Sequence, residues 1–492
     1  MVALLTTAAV TQSRATLDVS ETLFSVVAAM NVCGYDQELQ SSSPIRMEVR
    51  ADMVEASKSP AAAAAAREMC RFYRDHQQGD AAHDLAQYVS LALNLGPPPE
   101  FAPKLPESDL PPDAGYVLGF VPLLKAYDAV ANLHAIWQKH QPEYLALVGQ
   151  YHAPVAQMIH STDNYLRMPT SGYAGRSFTV YLEPMTAPGQ VNSRNYLQDF
   201  YYVVVSPAGS NLHMDALRHT YLHFALDPLI AKRASALERL QPILLSVQTA
   251  PMAEEYKRDA GLLVIECLIR AIEARTSGPK LPEKDQMTLV QRDEAQGFVL
   301  TGYFYEQLRS FEKGGTGLQD ALPDWLHDTD VQGQRKRASQ IAFAAHAEPE
   351  VMQAAKRAPR NASQKKIDLA ERALAGGHPA EAGKLAQESL QANEDPARAY
   401  FVLAKVASLG GQMQEAQADF RKALDAAKDP HVVAWSHIYL GRIFDIQEER
   451  ESAVAQYKAA LATSDVPEDA KAAAERGLQA PYEPPTGKHR DQ

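Results

Sequence analysis

Two histidines stand one helical turn apart in the segment from Leu217 to Leu226. On a helix, residues four apart project from the same face, so the imidazoles of His219 and His223 would lie close together. This spacing suits two ligands of one tetrahedral zinc ion. The same spacing also arises by chance on many helices, so the pair alone does not decide whether a metal binds.

A third candidate ligand is Glu266, which interrupts an apolar segment running from Leu262 to Ile269. Burying a carboxylate in such a segment is costly unless the carboxylate binds a metal or pairs with a cation. Arg270 lies one turn further along and could form an ion pair with Glu266. Metal ligation and pairing with Arg270 are therefore two alternatives for Glu266.

These residues resemble the zinc site of gluzincin metallopeptidases, in which a strand leads into a His-Glu-x-x-His helix and a later glutamate completes the site. The resemblance covers about residues 177–275 and implies that His219, His223 and Glu266 are zinc ligands. The general-base position holds Thr220 instead of glutamate. General acid–base catalysis contributes roughly 10²–10⁴-fold to a rate, and a threonine hydroxyl does not replace a carboxylate. The resemblance therefore implies a degenerate, non-catalytic relative.

The elements that would position this site follow from local periodicity. Residues 177–183 and 196–206 are rich in Tyr, Phe and Val, which predicts two strands of a small sheet. Residues 184–194 have turn chemistry. The helix carrying the histidines is expected to end at Leu226, because Asp227-Pro228 follows it.

Other segments up to residue 330 predict mainly helices. Residues 16–95 have helical patterns, with Ser59-Pro60 as the N-cap and first residue of one helix. The stretch from Gly96 to Asp113 carries seven prolines and predicts a connector. We therefore expect a mainly α metallopeptidase-like domain over residues 16–330, with its small β-sheet at 177–206.

Residues 364–478 repeat a pattern of small and large side chains at spacings of 34 and 37 residues. The pattern resembles tetratricopeptide (TPR) repeats, whose two-helix hairpins stack into an α-solenoid. The resemblance implies that this array binds a protein or peptide partner. Alternatively, the array docks on the chain's own N-terminal part. The matching positions are Leu403-Ala404, Ala407, Ala416, Phe420 and Ala423-Leu424, then Leu440-Gly441, Phe444, Ala453, Tyr457 and Ala460-Leu461, and earlier Leu369-Ala370, Ala373, Ala382, Ala386 and Ser389-Leu390.

The overall composition bears on the function classes. The chain has 492 residues and a net charge of −12, which argues against a nucleic-acid binder. It has no apolar run of the length that spans a membrane, so no transmembrane helix is expected. We expect a linker at residues 331–363 and a disordered tail at 479–492.

The N-terminus and the cysteines bear on location. Residues 1–15 begin with an apolar stretch that is consistent with the remnant of a secretory signal peptide, which predicts a periplasmic or secreted protein. A frayed first helix in a cytoplasmic protein is the alternative. In an exported chain Cys33 could pair with Cys70. Otherwise these two and Cys267 are three reduced, buried thiols.

Three functions are consistent with these features. The first is a non-catalytic metallopeptidase-like protein that binds polypeptides through the repeats and a degenerate cleft. The second is an active zinc-dependent peptidase whose general base comes from another part of the chain. The third is a structural scaffold without metal, in which Glu266 pairs with Arg270.

Overall fold

A computed structural model of the chain is mainly α-helical and has one small sheet, as the sequence predicts. The expected signal remnant, apart from Ala15, lies outside the described residues, as do residues 347–363 of the expected linker and residues 484–492 of the expected tail. Among the described helices, none combines the length and the apolar character that crossing a membrane requires. The structure describes residues 15–77, 79, 81–168, 176–196, 200–207, 214–277, 281–346, 366–375 and 379–483.

Four strands form a mixed sheet in the order β1-β2-β4-β3. The first three in that order pair in parallel, and β3 pairs antiparallel to β4 at the edge. Val180 of β2 and Val203 of β4 are neighbours in register and are both buried. The strands are β1 (Ala15–Asp18), β2 (Ser177–Leu182), β3 (Val191–Tyr196) and β4 (Phe200–Val205).

The sheet corrects the sequence prediction in two places. Strand β3 falls largely within residues 184–194, which the sequence marks as a turn. Strand β1 lies at the start of a region expected to be helical. Thr16 of β1 hydrogen-bonds Thr179 of β2 at 3.0 Å, across a sequence separation of 163 residues. A four-residue strand stabilised by such a distant partner leaves little local signal.

The remaining regular structure is helical. Helix α3 begins at the expected residue, because the Ser59 hydroxyl accepts a hydrogen bond from the amide of Ala62. The helices are α1 (Glu21–Val32), α2 (Pro44–Ala56), α3 (Pro60–Asp75), α4 (Ala81–Leu93), α5 (Pro112–Tyr116), α6 (Phe120–Ala131), α7 (Leu133–Leu166), α8 (Met214–Ala231), α9 (Ala234–Leu240), α10 (Glu254–Arg258), α11 (Ala260–Thr276), α12 (Glu283–Gln296), α13 (Thr301–Phe311), α14 (Leu318–Asp328), α15 (Val331–Ala338), α16 (Lys366–Ala375), α17 (Pro379–Gln391), α18 (Pro396–Leu409), α19 (Met413–Ala426), α20 (Pro430–Ile446), α21 (Arg450–Leu461) and α22 (Glu468–Gln479).

The chain divides into two compact units, each built from discontinuous sequence. In this division the N-terminal helices share a unit with the C-terminal helices, whereas the sequence predicts sequential domains. In addition, α15 begins at the first residue of the expected linker, and Arg337 within it forms an ion pair with Glu294 at 2.6 Å. The first unit comprises Met1–Val19, Ser41–Ser43 and Pro142–Ser363, and the second comprises Ser20–Gln40, Pro44–Gln141 and Gln364–Gln492.

Helix α8 of the first unit continues past Pro228 instead of ending at Leu226. A proline inside a helix has no N–H to donate to the carbonyl four residues earlier, here that of Phe224. Arg176 Nη2 donates to this carbonyl oxygen at 2.6 Å and so satisfies it. The helix therefore includes Asp227 and ends at Ala231.

Helix α11 begins at a well-defined cap. The Asp259 side chain accepts hydrogen bonds from the amides of Gly261 and Leu262, as an N-cap residue should. Its apolar residues are buried in the core of the first unit, against α8, α12 and α13. This packing fixes the direction in which Glu266 points.

In the second unit, the seven C-terminal helices pack each against the next, and each of α16, α18 and α20 also contacts the helix two further along. Many of the repeating positions are buried at these contacts. Gly441 is required by close approach, since a Cβ on it would lie 2.7 Å from the ring of Tyr457. Buried repeating residues include Ala404, Ala407, Ala416, Phe420, Ala423, Ala453, Tyr457 and Ala460.

Two of the three cysteines form a disulfide. Cys33, just after α1, is bonded to Cys70 in α3. Cys267 is a free thiol in α11, and burial raises its pKa to about 12. The structure therefore contradicts the alternative of three reduced thiols.

Candidate metal centre

Helix α8 presents His219 and His223 on one face, with ring centroids 5.0 Å apart. The helix packs against β3, β4 and α11, so this face points into the first unit. His223 is buried, whereas 17% of the His219 side chain is exposed. Solvent therefore reaches the pair from the His219 side.

Glu266 faces both histidines from α11, and its side chain is only 2% exposed. Its Oε2 lies 3.4 Å from His223 Nε2, and its Oε1 lies 3.7 Å from His219 Nε2. Two ligands bound about 2.1 Å from one zinc ion at a tetrahedral angle are about 3.4 Å apart. One ligand atom from each of the three residues lies within 4.8 Å of the others. The three side chains could therefore hold a metal ion.

Each histidine is oriented by its own carboxylate. His219 Nδ1 lies 2.9 Å from Glu273 Oε1, and His223 Nδ1 lies 3.1 Å from Asp227 Oδ1. A carboxylate partner fixes the Nδ1–H tautomer, which leaves the Nε2 lone pair for a metal. Metal-binding histidines commonly have such a second partner.

Arg270 also pairs with Glu266, as the alternative interpretation expects. Its Nη2 lies 2.9 Å from Glu266 Oε1, and its Nη1 lies 3.2 Å from Asp293 Oδ1. The guanidinium stacks over the ring of Phe298 at 3.9 Å. The arginine thus holds one oxygen of Glu266, while the other faces His223, so the two alternatives are compatible.

The charges of this cluster favour an added cation. Four carboxylates contact the histidines or Arg270, and two arginines oppose them, which leaves a net charge of −2 when both imidazoles are neutral. Carboxylates this close together repel one another, most strongly where they are buried, as Glu266 and Asp227 are. A divalent ion would balance this charge, and so would protons on the imidazoles. The carboxylates are Asp227, Glu266, Glu273 and Asp293, and the arginines are Arg270 and Arg292.

The same charges change the pKa values of His219 and Glu266. Burial lowers the pKa of His219, but the carboxylates of Glu273 and Glu266 outweigh this effect and raise the pKa to about 9. Burial raises the pKa of Glu266, but His219 and Arg270 hold it well below its usual range. The site therefore attracts a positive charge, and a proton and a metal ion compete for the His219 ring.

Thr220 lies between the histidines, but its hydroxyl is turned to its own helix. The side chain is buried, and Oγ1 donates to the carbonyl oxygen of Ala216 at 3.1 Å. A hydroxyl in this arrangement has neither the charge nor the pKa of a general base. The three candidate ligands could hold a metal ion, but position 220 supplies no base.

The sequence does not predict three of the carboxylates that orient the histidines or Arg270. Asp227 follows His223 by four residues, but its Asp-Pro context predicts a helix end. Glu273 lies seven residues after Glu266 on the same helix, a spacing of two turns that could have indicated a shared face. Asp293 lies on a different helix, and no local pattern links it to Arg270.

The predicted ligands His219, His223 and Glu266 thus come together, and Thr220 lies beside them. No family model, curated protein or solved structure matches this chain. The candidate metal centre is therefore supported by its own geometry and charge.

Proposed function

We propose that this chain is a non-catalytic, metallopeptidase-like protein that binds zinc through His219, His223 and Glu266 and binds polypeptide partners. The observation that carries the proposal is the combination of a two-histidine, one-glutamate cluster with a threonine at the general-base position. A bound zinc ion would supply an open fourth coordination position for a water molecule or a carbonyl oxygen.

The chain's own residues explain why binding without hydrolysis is the expected outcome. Glu273 and Asp227 orient the two imidazoles, and Arg270 holds Glu266. Thr220 cannot take a proton from a bound water, which removes roughly 10²–10⁴-fold of rate. A polypeptide carbonyl could reach the partly exposed edge beside His219 without being cleaved.

The C-terminal hairpins supply the second part of the proposal. Their alternating packing and buried small residues at repeating positions support a TPR-like array, as the sequence resemblance implies. Arrays of this kind offer extended surfaces to segments of other proteins.

The disulfide supports an exported location as part of the same proposal. Bonds such as Cys33–Cys70 form and persist in oxidising compartments and are rare in the cytosol. We therefore propose a periplasmic or secreted protein. A cytoplasmic location would require this pair to be reduced.

A second candidate is a structural scaffold without metal, which the ion pair between Arg270 and Glu266 favours. In that case the raised pKa of His219 keeps its ring protonated, and the proton supplies part of the missing positive charge. Such a protein would bind no zinc, and its histidine cluster would act only in folding.

The functional test uses the full chain loaded with zinc and an unfolded, alkylated protein as ligand. We expect saturable binding and no cleavage, with or without a chelator. Chelator-sensitive cleavage that is lost in His223→Ala would establish the active-peptidase alternative instead. Failure to bind would remove the polypeptide-binding function, whatever the zinc content.

A further inference from the structure

The proline-rich connector of the second unit carries a short acidic segment, Glu107–Asp109, folded as a single turn of 3-10 helix. Proline at position 106 precedes it, and Pro111 follows closely. The three side chains of this turn contact the C-terminal hairpins of the same unit. The contacts extend over three alternate helices: α18, α20 and α22.

Glu107 lies between two arginines from different helices. Its Oε2 pairs with Arg442 of α20, and its Oε1 pairs with Arg476 of α22. Burial raises the pKa of Glu107, but the two arginines outweigh it and hold the pKa below its usual range. The two oxygens of one carboxylate thus bind two alternate helices, α20 and α22.

The next two residues, Ser108 and Asp109, contact helices that come progressively earlier in the chain, α20 and then α18. The Ser108 hydroxyl hydrogen-bonds the Tyr439 hydroxyl of α20 at 2.7 Å. Asp109 pairs with Lys405 of α18, whose side chain is only 7% exposed. Three successive residues therefore contact the three alternate helices α18, α20 and α22.

Aromatic rings lie beneath these polar contacts. The Tyr439 ring lies 6.0 Å from both Phe401 and Trp435. Arg442 lies over the rings of Tyr439 and Trp435, at 5.4 and 5.5 Å from their centroids. Cation–π contact and burial restrict the guanidinium and so prepare it to bind a carboxylate.

The arrangement has the elements of a peptide site. Three cationic side chains lie along the three helices, and the Tyr439 hydroxyl lies among them. The cations are Lys405 of α18, Arg442 of α20 and Arg476 of α22. The Lys405 and Arg442 side chains are largely buried, and buried charges require a counter-charge. The ligand that matches them has a carboxylate, a hydroxyl and a carboxylate on consecutive residues.

We propose that α18, α20 and α22 form a binding site for an acidic Glu-Ser-Asp type segment, and that the chain fills this site with its own residues 107–109. This inference deepens the polypeptide-binding function proposed for the hairpins and does not involve the metal centre. A segment of another protein with the same chemistry can bind α18, α20 and α22 only after residues 107–109 dissociate from them.

The direct test uses a fluorescent peptide with the sequence of residues 103–112 and the full chain. In the variant Glu107→Lys/Asp109→Lys, repulsion from Lys405, Arg442 and Arg476 should expel the internal segment. We expect the peptide to bind this variant at least tenfold more tightly than the wild type. A matched peptide with Gln and Asn in place of its Glu and Asp should bind neither protein.

Two outcomes would overturn the proposal. One is equal affinity of the acidic peptide for wild type and variant, which would mean that the site is not filled in cis. The other is no binding to a variant whose circular dichroism shows a folded chain. Unchanged zinc content in all variants separates either failure from a failure of the metal centre.

A charge exchange tests the proposal even if the double-lysine variant does not fold. Asp109→Lys and Lys405→Asp should each lower the melting temperature. Their combination should recover most of the loss, since the pair is then restored with opposite polarity. Absence of recovery would contradict a direct and specific contact between segment and array.

Discussion

Arg176 donates a hydrogen bond to the carbonyl oxygen of Phe224, the group that Pro228 deprives of its helical donor. This contact explains how α8 passes an Asp-Pro pair that ordinarily ends a helix. Because the helix continues, Asp227 lies one turn beyond His223 and accepts the Nδ1–H of its ring. Arg176, just before strand β2, thus helps to position Asp227, which orients the candidate ligand His223.

Replacing Arg176 by methionine should weaken both the helix and the site. The change leaves the Phe224 carbonyl oxygen without its donor, at a cost of about 1–3 kcal/mol in the free energy of unfolding. Zinc affinity should fall as well, because Asp227 is less firmly held. Urea denaturation and zinc titration measure the two effects.

Arg176→Lys is the matched control, since lysine keeps a charged donor at this position. We expect it to retain more stability than the methionine variant. Equal urea midpoints for wild type and Arg176→Met would show that the carbonyl finds another donor and that the contact is dispensable.

Asp227→Asn tests the orientation of His223 directly. The substitution keeps the size of the side chain but removes the charge that fixes the imidazole tautomer. Loss of such an outer partner typically weakens metal binding 10–100-fold, and we expect a decrease of about this size. Competition with a zinc-binding dye measures it.

The control is Asp215→Asn, in the first turn of the same helix, where the aspartate is fully exposed. This change should leave zinc affinity unaltered. If Asp227→Asn binds zinc as tightly as Asp215→Asn, then the contact between Asp227 and His223 does not serve a metal.

The acidic segment predicts a specific pH dependence. The pKa of Glu107 in the folded chain is held below its ordinary value of 4.5. A carboxyl group of this kind stabilises the fold above its unfolded pKa, and the contribution is lost as the pH falls through the folded pKa. Glu107→Gln should cost about 1–3 kcal/mol at neutral pH, because Arg442 is largely buried and loses its charged partner.

The difference in stability between Glu107→Gln and wild type should therefore shrink as the pH falls below about 4.5. Glu100→Gln, an exposed position in the same connector, should show little effect at any pH. A constant deficit for Glu107→Gln across the acidic range would argue against the ion pairs with Arg442 and Arg476. Urea denaturation at several pH values provides the data.

Two glycines in the C-terminal hairpins form a matched pair for testing their packing. A Cβ at Gly441 would lie 2.7 Å from the Tyr457 ring, whereas a Cβ at Gly383 would meet Val406 at an ordinary 3.7 Å. Gly441→Ala should destabilise the protein by about 1–3 kcal/mol through overpacking. Gly383→Ala should be neutral or stabilising by up to about 1 kcal/mol, from helix propensity.

Thermal or urea unfolding distinguishes these two variants. Similar stabilities would mean that α20 and α21 do not approach as closely as the structure has them. That result would weaken the TPR-like interpretation, in which small residues permit close crossing of helices.

The sequence predicts the elements with strong local patterns and misses those that depend on distant partners. The Tyr- and Val-rich strands β2 and β4 and the capped start of α3 at Ser59 follow from local chemistry. Strand β1 does not, because four residues acquire strand structure only by pairing with β2. The connector is recognised from its prolines, but the partners of Glu107 lie more than 300 residues away.

The candidate site shows the same division. His219 and His223 follow from helical spacing, and Glu266 follows from the cost of a carboxylate in an apolar segment. The orienting role of Asp227 depends on Arg176, which satisfies the carbonyl that Pro228 cannot. Because that compensation comes from a residue 48 positions from its acceptor, Asp-Pro alone predicts the wrong helix end.

The metal content of the purified full chain tests the central claim most directly. After incubation with equimolar zinc and dialysis, elemental mass spectrometry should find one zinc ion per wild-type chain. Zinc should be lost in His219→Ala and in His223→Ala and retained in His160→Ala, a change at an exposed histidine of α7. A wild-type chain that retains no zinc would contradict the account and favour the metal-free scaffold, in which Glu266 pairs with Arg270.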